Sequence, residues 1–208
     1  MGRTVRKALV FRDGPTRFDM HILLICAGVV ALAEIGDKTQ LLALVLATRF
    51  KRPVPIILGI LVATLANHGV ASWLGASAAE WLKSDLFKWG LALSFIAMGI
   101  WTLIPDKLEE NETQAPKGSA FLATLVSFFL VEIGDKTQVA TVALAAQYHS
   151  VALVAAGTTL GMLAANVPVV FLGEAAAKRL PLKAIRIVAA TIFIALGLWT
   201  TLQLLAVI

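Results

Sequence analysis

Glu34-Ile35-Gly36-Asp37-Lys38-Thr39-Gln40 recurs residue for residue as Glu132-Ile133-Gly134-Asp135-Lys136-Thr137-Gln138, and both copies lie inside long apolar stretches. Without the motifs, those stretches would read as plain membrane-spanning helices. A charged side chain near the bilayer centre costs about 2.5–3.5 kcal/mol even on the lenient insertion scale. Two carboxylates and a lysine per copy therefore call for compensation, and a bound cation is the natural one.

The 208 residues are 59% hydrophobic and 15% charged, with a mean hydropathy of +0.84. That balance excludes a water-soluble domain with a polar shell and predicts an all-α integral membrane protein. The formal net charge of +5 invites a nucleic-acid partner, but the basic residues are spread over short connections between apolar runs. There they set topology and touch anionic membrane lipid; no nucleic-acid partner is expected. Cys26 is the only cysteine, which excludes an internal disulfide and a thiolate metal cage built by one chain. Its apolar neighbours mark it as a packing residue. Residues 1–19 carry Arg3, Arg6, Lys7, Arg12 and Arg17 with no apolar stretch long enough for a signal sequence. They read as a non-native N-terminal tail, with Met20 as the natural start.

Crossing the hydrocarbon takes about 20 apolar residues per helix. Six runs are expected to do so, at about 20–46, 54–76, 88–104, 119–146, 151–173 and 184–206. The third is short for a full span, and the first and fourth are long enough to tilt or to contain a break. A shift of 98 positions superimposes the motifs and also lays Gly59 on Gly157, Gly75 on Gly173, Phe95 on Phe193, Gly99 on Gly197 and Trp101 on Trp199. The expected architecture is therefore a tandem duplication: a three-helix repeat over 20–104, an acidic linker over 105–118, and a second three-helix repeat over 119–208. An odd helix number makes the second unit enter from the opposite side, the inverted-repeat plan of many secondary transporters. Arg49, Lys51 and Arg52 after the first run, and Lys178, Arg179, Lys183 and Arg186 after the fifth, place those loops and the linker on the cytoplasmic side. The five basic residues of the tail oppose the orientation that follows, with the N-terminus outside. Asp106, Glu109, Glu110 and Glu112 of the linker read as a solvated connector.

Positions three apart share a helix face, so Glu34 is expected beside Asp37 and Glu132 beside Asp135. Gly36 and Gly134 permit close helix approach or a local unwinding that turns carbonyl oxygens toward an ion. Thr39, Gln40, Thr137 and Gln138 add neutral oxygen donors. Asn67 and Asn166, equivalent within one position, either complete the coordination or bridge helices by hydrogen bonds. His68 lies opposite Asn166 under the shift, and packing is its simpler account; His21 and His149 stand at run ends. The oxygen-rich, sulfur-free set suits hard divalent cations such as calcium, manganese and magnesium. Four carboxylates against Lys38 and Lys136 leave two negative charges, which one divalent ion neutralises. When the ion leaves, mutual repulsion favours proton uptake, so metal and protons compete for the same oxygens. Lys38 and Lys136 either balance the opposite half's carboxylates or snorkel to the interface. No nucleophile or catalytic histidine constellation accompanies the carboxylates, so no enzyme and no cofactor are expected.

The Glu-x-Gly-Asp-Lys/Arg-Ser/Thr signature, present twice across residues 20–208, resembles the small cation/proton exchanger family of Golgi manganese and calcium transporters and bacterial manganese exporters. It is more distantly similar to the lysine-exporter superfamily. The resemblance implies export of Mn2+ or Ca2+ from the cytoplasm by proton antiport, in the plasma (inner) membrane of a bacterium. Glu34, Asp37, Glu132 and Asp135 would be the metal-binding positions. A passive divalent-cation channel and an exporter of small organic solutes are the alternatives, and the small surface of each half leaves room for a homodimer.

Overall fold

The computed structural model describes residues 17–81, 84–105, 118–172 and 181–205. Most of the expected tail and linker, with Lys178, Arg179 and Gly173, lies outside them. Among the described residues every regular element is a helix: α1 (Arg17–Glu34), α2 (Lys38–Phe50), α3 (Pro53–Trp81), α4 (Asp85–Thr102), α5 (Ala120–Glu132), α6 (Lys136–Tyr148), α7 (Val151–Leu172) and α8 (Leu182–Leu204).

The first and fourth apolar runs are each broken at the motif. Gly36 and Gly134 adopt φ of +82° and +76°, a left-handed conformation that ends a helix and that glycine alone adopts without steric cost. α1 and α2 consequently meet at a bend of 74°. The expectation that Glu34 and Asp37 share one helix face is thereby corrected, as it is for Glu132 and Asp135. Each glutamate closes one helix, and each aspartate stands at the N-cap of the next in an extended conformation.

By length and apolarity α3, α7 and α8 can each cross a membrane, and the bent α1–α2 pair adds a fourth if it is counted as one broken span. α5 is a shorter apolar helix. The 18-residue α4 carries Asp85 in its first turn and Lys88 in the next. α7 continues through Pro168, which a membrane helix tolerates because neighbouring groups satisfy the freed carbonyl. Large apolar side chains such as Leu24, Val54, Leu65, Trp73, Leu130 and Phe171 face outward, the reverse of a water-soluble protein.

The principal packing pairs join one half of the chain to the other. α1 packs on α7, α5 and α6 on α3, α3 on α7, and α4 on α8. Contacts repeat under the 98-residue shift at close range. Gly59 lies against Thr124 and the Phe121 carbonyl, and Gly157 against Cys26 and the Leu23 carbonyl; Gly99 meets Ile194 and the Ala190 carbonyl, and Gly197 meets Ile96 and the Ala92 carbonyl. A methyl group at any of these four glycines would fall within 3 Å of its neighbour, so helix spacing there depends on the missing side chain. Lys51 and His149, also 98 apart, end α2 and α6 in the left-handed conformation, with φ of 51° and 52°. Two cores result. One holds Leu46, Ile56 and Ala120, and the other Leu144, Val154 and Ile22, the same positions exchanged. Cys26 is fully buried in the second, as a packing residue should be.

Candidate metal centre

Each motif builds a helix–turn–helix corner around its glycine. The Asp37 N–H donates to the Glu34 carbonyl at 3.0 Å, and the Asp135 N–H to the Glu132 carbonyl at 3.1 Å. Breaking a helix orphans backbone amides, and the glutamine four residues on satisfies one in each copy. The Gly36 N–H donates to Gln40 Oε1 at 3.0 Å and the Gly134 N–H to Gln138 Oε1 at 2.7 Å. Gln40 also donates through Nε2 to the Ala165 carbonyl of α7 at 3.0 Å. The glutamine oxygens expected to face an ion are here used to staple the corner.

Two features of the corner bear on charge. Asp37 and Asp135 make no side-chain cap hydrogen bond to the first backbone amides of the helices they open. They nevertheless stand at the positive ends of α2 and α6, where the helix dipole favours an anion. The C-terminal ends of α1 and α5 favour a cation at the same place.

The packing of α1 on α7 and of α5 on α3 brings the corners together in the interior. Oxygens of Glu34, Glu132 and Asp135, all buried, lie within 4.8 Å of one another. Ligands on opposite sides of one Ca2+-sized ion stand about 5 Å apart, so a single ion can touch all three. The fourth expected carboxylate, Asp37, is not among this triad; its Oδ1 stands 3.4 Å from Lys136 Nζ. Lys38 Nζ stands 3.6 Å from Asp135 Oδ1. Both lysines thus reach across to the other half.

Thr39 and Thr137 hold the glutamates. The Thr39 hydroxyl donates to Glu34 Oε2. The Thr137 hydroxyl lies 3.3 Å from Glu132 Oε2 and 3.4 Å from Asp135 Oδ2. Oε1 of both glutamates has no hydrogen-bond partner among the described residues, nor has Oδ1 of Asn166. Buried acceptors without a donor are costly, and a cation satisfies them. Asn67 donates through Nδ2 to the Phe129 carbonyl of α5 at 3.0 Å, the helix-bridging alternative. Asn166 Nδ2 stays within its own helix, 3.0 Å from the Met162 carbonyl.

His68, assigned to packing by the sequence reading, stands with the site. Its Nε2 is 3.5 Å from Glu132 Oε2, and both residues are 0% exposed. Its place in the middle of an apolar run was the signal, since ionisable groups at membrane depth are functional by default.

The two corners are not in equal surroundings. Leu182 at the start of α8 covers the first, its Cδ2 only 2.8 Å from where a side chain on Gly36 would begin, whereas no described residue lies within 4 Å of the same point on Gly134. Ile133 is 55% exposed, and Ile35 is half-buried. Lys38 is 18% exposed and Lys136 is 4%.

Comparison with known proteins follows this geometry. The family model for the divalent cation/proton antiporter GDT1 matches twice, over residues 22–110 and 120–207. A Vibrio cholerae protein named "Putative manganese exporter" is 52% identical over 187 residues, covering 89% of this chain and 93% of the relative. A GDT1-like protein of Synechocystis is 28% identical over 186 residues, covering 79% of this chain and 89% of the relative. GDT1-like protein 3 of Oryza sativa is 28% identical over 178 residues, covering 71% of this chain and 61% of the relative. No solved structure matches the chain significantly. With one corner motif inside each matched segment, this integral membrane protein belongs to the GDT1 family of divalent cation/proton antiporters.

Proposed function

We propose that this protein exports Mn2+ from the cytoplasm in exchange for protons, through one buried carboxylate site shared by its two halves. The observation that carries the reading is the meeting of Glu34 from one half with Glu132 and Asp135 from the other, with oxygens within 4.8 Å of one another. The name carried by the Vibrio relative supports manganese as cargo, and Ca2+ fits the same oxygens. Residues 20–104 and 119–208 act as inverted repeats. Six spans result when α1–α2 and α5–α6 each count as one broken helix, a construction that places unwound backbone at an ion site. Arg49, Lys51 and Arg52 face the cytoplasm of a bacterial cell, and the apolar exterior faces the lipid of its plasma membrane.

Exchange follows from charge. The four carboxylates and two lysines sum to two negative charges, which either a divalent ion or protons neutralise; a half-neutralised site is penalised in a poorly solvated interior. Conversion between inward and outward access then requires a filled site of one kind or the other. Gly36 and Gly134 are the hinges, and the unequal cover over them is what an alternating mechanism needs. Thr39, Thr137, Gln40 and Gln138 hold the corners, and Asn67 and Asn166 frame them.

The test is transport in proteoliposomes carrying the purified full chain and a pH-sensitive dye. Mn2+ entry should drive stoichiometric proton exit, an imposed pH gradient should accumulate Mn2+, and the apparent Mn2+ affinity should weaken as pH falls. Mn2+ flux without proton counter-flow would identify a passive channel and reject the exchange.

A further inference from the structure

His68 and Asn166 occupy equivalent places in α3 and α7, yet one offers an imidazole and the other an amide. His68 is 0% exposed, and both ring nitrogens lack a hydrogen-bond partner among the described residues. Its Nε2 stands 3.5 Å from Glu132 Oε2. Two adjacent ligand atoms on an ion with 2.3–2.6 Å bonds lie about 3.3–3.7 Å apart, so this spacing lets one ion bridge nitrogen and oxygen. The hydroxyls of Thr64 and Ser72, one turn to either side on α3, also lack partners among the described residues. Other buried threonines, such as Thr102, Thr124, Thr141 and Thr158, donate to a carbonyl of the preceding turn. The His68 stripe of α3 is thus buried with side-chain polar atoms that no described residue hydrogen-bonds.

We propose that His68 supplies a single nitrogen ligand to the transported ion and thereby favours Mn2+ over Ca2+ and Mg2+. This rests on the carboxylate site described above as the transport site. The reasoning is one of donor chemistry. Ca2+ and Mg2+ bind through oxygens, whereas Mn2+, the first of the divalent transition ions in the stability series, accepts imidazole alongside carboxylates. One nitrogen among oxygens tips the balance toward Mn2+. A second nitrogen or a thiolate would shift it toward zinc and copper, and Asn166 at the equivalent place presents an oxygen instead.

The experiment uses purified full-length protein loaded with Mn2+. Electron spin-echo envelope modulation should show coupling of the bound ion to a 14N nucleus in the wild type and none in His68→Asn. In proteoliposomes the same variant should raise the KM for Mn2+ about tenfold and leave that for Ca2+ within about twofold. Wild-type Mn2+ without nitrogen coupling overturns the proposal even if the variant fails to fold, as does coupling that persists in His68→Asn. Equal loss of Mn2+ and Ca2+ transport in a folded variant also overturns it, by reducing His68 to a structural role. Glu34→Gln separates the two levels: Mn2+ binding and transport unaffected by that change would reject the carboxylate site itself, whereas their loss with no nitrogen coupling in the wild type rejects only the role of His68.

Discussion

The two seven-residue corners have identical sequences and unequal surroundings. The first is capped by Leu182, while no described residue caps the second at Gly134, and Ile133 is 55% exposed. Asp37 faces a lysine that is 4% exposed, and Asp135 faces one that is 18% exposed. Glu132 has an imidazole beside it. Identical sequences generate identical corners, down to the Gly36–Gln40 and Gly134–Gln138 staples, so the differences come from what packs around them.

The comparison breaks most visibly at the shared carboxylates. Glu34→Gln and Glu132→Gln should each reduce Mn2+ efflux from everted vesicles by about 100-fold or more, because one ion needs both. A variant retaining transport would mean that each half holds its own ion. The lysines should separate the corners next. Lys136→Met leaves buried Asp37 without its cation and should cost about 3–5 kcal/mol, measured as thermal unfolding in detergent. Lys38→Met should cost clearly less, since the Lys38–Asp135 pair is the more exposed. Equal losses would show that the unequal burial has no energetic consequence.

The glycines sharpen the same contrast at smaller scale. Gly36→Ala and Gly134→Ala should each lose about 1–2 kcal/mol from the left-handed backbone. Gly36→Ala alone should lose roughly a further 1 kcal/mol by overpacking against Leu182, and Leu182→Ala should recover that part. A Leu182→Ala background that leaves the difference untouched would refute the role of this contact.

Much of this organisation was legible from residue types. Two charged motifs in apolar runs and the 98-residue period were enough to anticipate the class of fold and the divalent-cation chemistry, while the glycines left close helix approach and a break both open. What was misread is instructive. A helix through the motif puts Glu34 and Asp37 on one face, but Gly36 turns the chain between them, and a left-handed residue cannot be told from a packing glycine by its letter. Gln40 and Gln138 looked like ion ligands because the need of the Gly36 and Gly134 N–H groups for an acceptor arises only once the helix has broken. His68 is fully buried, in keeping with its reading as a packing residue, but its neighbour Glu132, 64 residues away, was not visible in the local sequence.

By itself the sequence determined that the chain lives in a membrane and carries the same acidic motif twice. Those properties follow from local composition and from identity between segments, which no folding can change. Only the tertiary structure decided that Glu34 meets Glu132 and Asp135, that each lysine crosses to the other half, and that Leu182 covers one corner and not the other. These depend on which helix faces pack together, and such packing is set by small residues and shape across long separations rather than by any local pattern.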